Sequence, residues 1–357
     1  MAASELPLGR LLGLATDDCA AALAGRVSPI TIAAAPSRMQ TRCIVQALKR
    51  IRHVPSGHAF YDASHVQQAC ASHSHQEIDM SKVWFITGAG RGIGARIAQA
   101  ALAVGDRVVA TGRHVDQLSE AYAAYGERVL CLPLDVAREQ DAASAVEVAQ
   151  SRFGAIDVLV NNAGYGQLGL FEEVASAEVE RQFQTNVFGL MHVTRAVLPV
   201  MRKQRRGHIM SLSSVGGFMG FEASSIYCAA KFAVEGFSES LALEVAPFNI
   251  KVTVIEPGFF RTDFLDQRSV QYGTRKVAEY AEVSNHSRST YEDYNHQQPG
   301  DPVKLGRVVV ELAAMPEPPL HFLAGTDALG YASGAFERRR KEMDQHAQLS
   351  VTTDGAF

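Results

Sequence analysis

The sequence predicts a doubly wound α/β fold, a parallel sheet of about seven strands with helices on both faces. From Met80 onward, short runs rich in β-branched residues alternate with longer segments of helical period, and the first run leads straight into a glycine-rich stretch that opens a helix. The runs are Val83 to Ile86, Arg107 to Thr111, Val129 to Leu132, Val158 to Val160, His208 to Leu212, Lys251 to Ile255 and Leu320 to Leu323. Their apolar character is nearly continuous, which is the pattern of strands buried on both faces.

The segments between them, among them Ile93 to Val104, Glu139 to Phe153, Val179 to Arg202, Ser225 to Val245 and Val303 to Ala314, are amphipathic at helical spacing. Together they make one Rossmann-type domain over residues 80–345. Residues 263–300 break the rhythm. Phe264 to Gln298 is polar and aromatic without clear period, and Pro299-Gly300-Asp301-Pro302 stops one element and caps the next, so this segment reads as a lid. The charged run Glu337 to Glu342 reads as a solvated helix face, and residues 346–357 as a tail. Residues 1–79 hold five of the twelve histidines and three of the five cysteines but no sustained period. They are expected to be an extension that is disordered or absent from the native chain, because Met80-Ser81-Lys82 runs directly into the first strand. A targeting presequence is the alternative; Arg38, Arg42, Lys49, Arg50 and Arg52 suit it, and Glu5, Asp17 and Asp18 do not.

The chain of 357 residues is 47% hydrophobic and 20% charged, the balance of a globular protein. A net charge of -4 offers no basic field for nucleic acid. No run approaches the length of a membrane span, so a soluble, cytoplasmic protein without a membrane partner is expected. Five cysteines without a C-x-x-C indicate neither a disulfide framework nor a zinc site, and no metal is expected.

The glycine stretch is Thr87-Gly88-Ala89-Gly90-Arg91-Gly92-Ile93-Gly94. Strand, glycine loop and helix N-terminus form a dinucleotide cradle: the turn is tight, backbone must approach the pyrophosphate, and unpaired helix N–H groups face the anion. After the second strand an NAD site needs a carboxylate for the ribose 2'-hydroxyl, but the chain reads Thr111-Gly112-Arg113. Arg113 with Arg91 suits a 2'-phosphate, so NADP(H) is the expected cofactor.

Tyr227 and Lys231 are four apart in a helical stretch and share a face. Ser214 lies 13 residues upstream of Tyr227, past the end of the fifth run, and Asn186 lies further upstream in a long helical segment. Taken singly each has an ordinary structural use; in this order they form a pattern. From Met80 to about Phe336 the chain resembles the short-chain dehydrogenase/reductase family of the compact one-domain type. Asn186, Ser214, Tyr227 and Lys231 match that family's catalytic tetrad. Thr87 to Gly94 resembles its cofactor loop, Asp135 its adenine contact, Asn161-Asn162-Ala163-Gly164 the segment beside the central sheet, and Pro257-Gly258 with Thr262 the nicotinamide contact. The resemblance implies a homodimer or homotetramer, and a role for Asn186 in linking Lys231 to water.

The expected chemistry is hydride transfer between the cofactor and a carbinol carbon, with Tyr227 as general acid/base. A phenol ordinarily titrates near about 10, and a neighbouring ammonium at Lys231 is expected to lower that value. Ser214 would donate to the substrate oxygen. Tyr165, Gln167, Phe218, Met219, Phe221, Phe259 and Phe260 are the candidate pocket residues. Being mostly apolar, they point to a small-molecule carbonyl or alcohol substrate. Against this oxidoreductase stand a dinucleotide-sensing regulator without turnover and an epimerase or dehydratase on the same sheet.

Overall fold

All seven apolar runs form strands of one parallel sheet in the structure, a computed structural model that describes residues 81–266 and 269–355. The stretch 1–79, with both readings attached to it, lies outside the described residues. The strands are β1 (Val83–Thr87), β2 (Arg107–Gly112), β3 (Val129–Pro133), β4 (Val158–Asn161), β6 (Gly207–Leu212), β7 (Ile250–Pro257) and β9 (His321–Ala324). They are ordered β3-β2-β1-β4-β6-β7-β9. Val83 pairs with Arg107 on one side of β1, and Trp84 with Val158 on the other. The chain moves outward from β1 to β3 and then returns to place β4 on β1's other flank. That reversal opens a crevice at the carboxyl ends of β1 and β4.

Period-two alternation sorts the core. Val83 and Phe85 point into a layer with Val109, Leu159, Val193 and Met201, while Trp84 and Ile86 point into the opposite layer with Ile97, Leu102, Leu118 and Val309. The first layer is covered by α3 (Glu139–Phe153), α5 (Gly189–Gln204) and α6 (Ser225–Val245), the second by α1 (Gly92–Ala103), α2 (Val115–Tyr122) and α8 (Pro302–Ala314). The indole of Trp84, the chain's one tryptophan, donates to Asp106 Oδ2 at 2.8 Å, which satisfies its only polar atom inside the core. Among the described residues no helix is long and apolar enough to cross a membrane.

Three expectations are corrected. The helix read over Val179 to Arg202 is α4 (Ser176–Phe183), one π-helical turn (Gln184–Phe188) and α5. The segment read as lacking period holds β8 (Val270–Tyr272) and α7 (Ala281–Tyr294), and β8 pairs in parallel with β5 (Gly166–Leu168). Only Ser287 of α7 is buried, so the helix shows no apolar stripe in the sequence. The boundary placed at 345 falls within α9 (Thr326–Ser350), whose buried face is made of Ala328, Ala332 and Ala335.

Candidate active site

The glycine loop leaves β1 at the crevice and is stitched there by Asn162. Asn162 Nδ2 donates to the carbonyls of Thr87 and Gly88 at 2.8 and 3.1 Å, while the Thr87 hydroxyl accepts from the N–H groups of Asn162 and Ala163, each at 3.0 Å. Gly88 has a φ of +66°, open to glycine and costly for other residues. At Gly94 a Cβ would collide with Asn162 Nδ2 and the Gly88 carbonyl, so the first turn of α1 can sit this close only without a side chain. That turn carries no acidic residue and no side-chain cap, which leaves its amides for an anion.

A cavity of about 1100 Å³ joins this loop to the candidate catalytic residues. Its lining includes Gly88, Gly90, Arg91, Gly92, Ile93, Arg113, Asp135, Asn162, Ala163 and Gly164 around the glycine loop, and Pro257, Gly258 and Thr262 at and past the end of β7. Arg91 and Arg113 are exposed. Asp135 Oδ1 accepts from the Ala137 N–H at 3.1 Å. Thr87 does not line the cavity: it is 1% exposed, and its hydroxyl is used inside the sheet.

Asn186, Ser214, Tyr227 and Lys231 all border the same cavity. Tyr227 and Lys231 lie one turn apart on α6, with the Lys231 ammonium 5.7 Å from the centre of the Tyr227 ring. Lys231 is 8% exposed and donates to the Leu212 carbonyl at the end of β6, 2.6 Å away. Two residues on, Ser214 Oγ accepts from the Gly216 N–H at 3.1 Å and is hydrogen-bonded to Tyr227.

The electrostatics differ from the sequence expectation. Burial pushes the Tyr227 phenol above its ordinary range, with the Ser214 hydrogen bond opposing, and the downward pull expected from Lys231 is not among the principal influences. Burial also pushes Lys231 itself down to about 8, with the Glu235 carboxyl drawing it back up. In so dry a site, loss of hydration outweighs the attraction between the pair.

Asn186 occupies the π-helical turn. Its Nδ2 donates to the Tyr165 carbonyl at 2.9 Å and its Oδ1 accepts from the Tyr165 N–H at 3.2 Å. These bonds fix the chain after Gly164.

Of the candidate pocket residues, Tyr165, Phe221, Phe259 and Phe260 line the cavity. Gln167, Phe218 and Met219 do not. Phe218 instead packs edge-on against Phe336 and His321, with centroids 5.4 and 6.4 Å away, because the turn after β6 carries it toward α9. Sequence reasoning missed three contributors. Phe264 lies 5.6 Å from the Tyr227 ring, and the Tyr291 hydroxyl on α7 meets Ser224 Oγ at 2.8 Å. Asp327 accepts from the Phe259 N–H at 2.7 Å and so holds the loop after β7; an acid in the first turn of a helix was its one local signal.

Comparison with known proteins accords with this geometry. The short chain dehydrogenase family profile matches residues 82–273, more than half of the chain. This protein is a short-chain dehydrogenase. A 3-ketodihydrosphingosine reductase of Bacteroides thetaiotaomicron is 40% identical over 244 residues, 68% of this chain and 88% of that one. A short-chain dehydrogenase from Streptomyces avermitilis superposes with a TM-score of 0.72 at 38% identity, covering 77% of this chain and all of that one. ElxO, solved with NADP bound, is 27% identical with a TM-score of 0.59 over 71% of this chain and 100% of its own. As a short-chain dehydrogenase the protein is an oxidoreductase acting on CH–OH groups of small molecules.

Proposed function

We propose that this dehydrogenase uses NADP(H) to interconvert an apolar alcohol with its ketone or aldehyde, with Tyr227 as the general acid/base. The observation that carries the reading is convergence: Tyr227, Ser214 and Lys231 share one cavity with the uncapped N-terminus of α1. That N-terminus and the Gly88 to Gly94 loop fit a pyrophosphate, and Lys231 and Pro257 to Thr262 lie where the nicotinamide end would rest. When bound, NADP(H) supplies or accepts the hydride. Tyr227 gives the substrate oxygen its proton during reduction and recovers it during oxidation, Ser214 donates to that oxygen as charge builds, and Lys231 steadies the phenolate. Arg113 and Arg91 favour the 2'-phosphate, as no carboxylate ends β2.

Tyr165, Phe221, Phe259, Phe264 and Tyr291 give the substrate end an aromatic wall, which favours an apolar carbonyl compound. A relative named for reducing a 3-keto compound supports the direction. A cytoplasmic setting, with Cys131 and Cys228 as free thiols, belongs to the same reading. So does a homodimer or homotetramer joined through the helices near Asn186 and Tyr227, where Phe188, Phe232 and Leu243 are exposed.

The test is NADPH oxidation by the purified protein against a panel of apolar ketones and aldehydes. Turnover with release of free NADP is expected for at least one of them. NADPH binding without turnover across the panel would indicate a sensing regulator, and a converted substrate with the cofactor retained would indicate an epimerase or dehydratase.

A further inference from the structure

A second cluster of chemical groups lies behind Lys231 and takes no part in the cavity. Glu235 is one turn beyond Lys231 on α6, Glu256 is near the end of β7, and His321 opens β9. Glu235 and Glu256 are 7% and 0% exposed, and His321 reaches the surface. One donor atom from each lies within 4.8 Å of the others. His321 Nδ1 stands 2.8 Å from Glu256 Oε1 and 3.5 Å from Glu235 Oε2. Neither oxygen of Glu235 nor Oε2 of Glu256 makes a hydrogen bond of ordinary geometry, and the two carboxyls face each other and Ser213 in the interior. Two carboxylates buried side by side with one imidazole between them are costly while both are charged, and a cation at their centre offsets that cost.

We propose that Glu235, Glu256 and His321 bind one divalent cation of the zinc class. One imidazole nitrogen with two carboxylates is a donor set for zinc and its transition-metal neighbours, whereas magnesium and calcium favour oxygen alone. Donors about 2.1 Å from a tetrahedral centre sit about 3.4 Å apart, so the two separations to His321, 2.8 and 3.5 Å, require only small shifts. The far side of the ring supports this orientation: His321 Nε2 faces Glu239 Oε1 at 3.5 Å, the placement in which a carboxylate orients a metal-binding imidazole. The fourth position, beside the solvent-reaching ring, falls to water. The ion would tie α6 to β7 and β9 one turn from Lys231, which gives it a structural role beneath the active site. The sequence hides this site because its three ligands are scattered over 86 positions with no local spacing motif.

The test uses the full chain, stripped with a chelator and titrated with Zn²⁺, Co²⁺ or Mg²⁺ alone. Expected are uptake of Zn²⁺ at this cluster, a Tm rise of about 5 °C at about a hundred times Kd, tetrahedral visible bands with Co²⁺, and no effect of Mg²⁺. His53, His58, His65, His73 and His75 offer other imidazoles, so the deciding count is comparative. Glu256→Gln and His321→Gln should each lose one equivalent of Zn²⁺ together with the Tm rise. If both variants titrate like the native chain, or the stripped native chain gains neither metal nor Tm, the carboxyls share a proton and the proposal is overturned. His321→Gln, at the surface edge, keeps the test decisive should Glu256→Gln fail to fold.

Discussion

At Lys231 two demands collide: an ammonium is useful beside a phenolate, yet the dry floor of the crevice disfavours it. With its pKa pushed down to about 8, the folded chain sheds this proton well before the unfolded chain does. Between about 8 and the ordinary lysine value of about 10.4 the unfolded state therefore binds more protons, so stability from this group rises with pH. Compared with Lys231→Met, the native protein should gain at most about 1.4 kcal/mol per pH unit across that window, as read by urea unfolding. A difference that stays flat would place the amine in water. Arg113 makes the other residue-scale prediction. Arg113→Asp should weaken NADPH binding by about tenfold or more and improve NADH, in line with loss of a charge-assisted hydrogen bond, and fluorescence titration would measure both. An unchanged NADPH affinity with no gain for NADH removes this arginine from cofactor choice.

Among the elements, the π-helical turn between α4 and α5 does what an uninterrupted helix would not. It sets Asn186, 3% exposed, against the chain that follows β4, where the two bonds to the Tyr165 backbone join the cofactor end of the cavity to its substrate end. Asn186→Ala leaves the part-buried Tyr165 N–H without its acceptor, while the carbonyl keeps its bond from Gln182 Nε2 at 3.0 Å, and should cost about 1 kcal/mol in urea unfolding and lower kcat/KM. Native stability in this variant would mean that the bonds hold nothing in place. The substrate side is fastened in a comparable way: β8 pairs with β5, and Ser287 Oγ on α7 donates to Glu222 Oε1 at 2.6 Å. The segment read as a lid thus carries secondary structure of its own.

Across the whole molecule, legibility followed burial. Strands covered on both faces must be apolar along their length, so all seven of the main sheet showed in the sequence within a residue or two. Elements that bury little left little trace: α7 covers only Ser287, and α9 meets the core through three alanines. At the site, the one-turn spacing of Tyr227 and Lys231 is local and readable. Phe264 and Tyr291 reach the cleft from distant parts of the chain, Asp327 holds the loop beside it through Phe259, and Phe218 lies next to the site in sequence but not in space. The proposed function rests on one phenol held in the cleft where a cofactor and a carbonyl would meet, and Tyr227→Phe removes its hydroxyl alone. NADPH oxidation and NADPH affinity measured side by side in this variant test that claim most directly. Turnover should fall by at least about a hundredfold while affinity stays near the native value; native turnover, or a matching loss of NADPH binding, would contradict it.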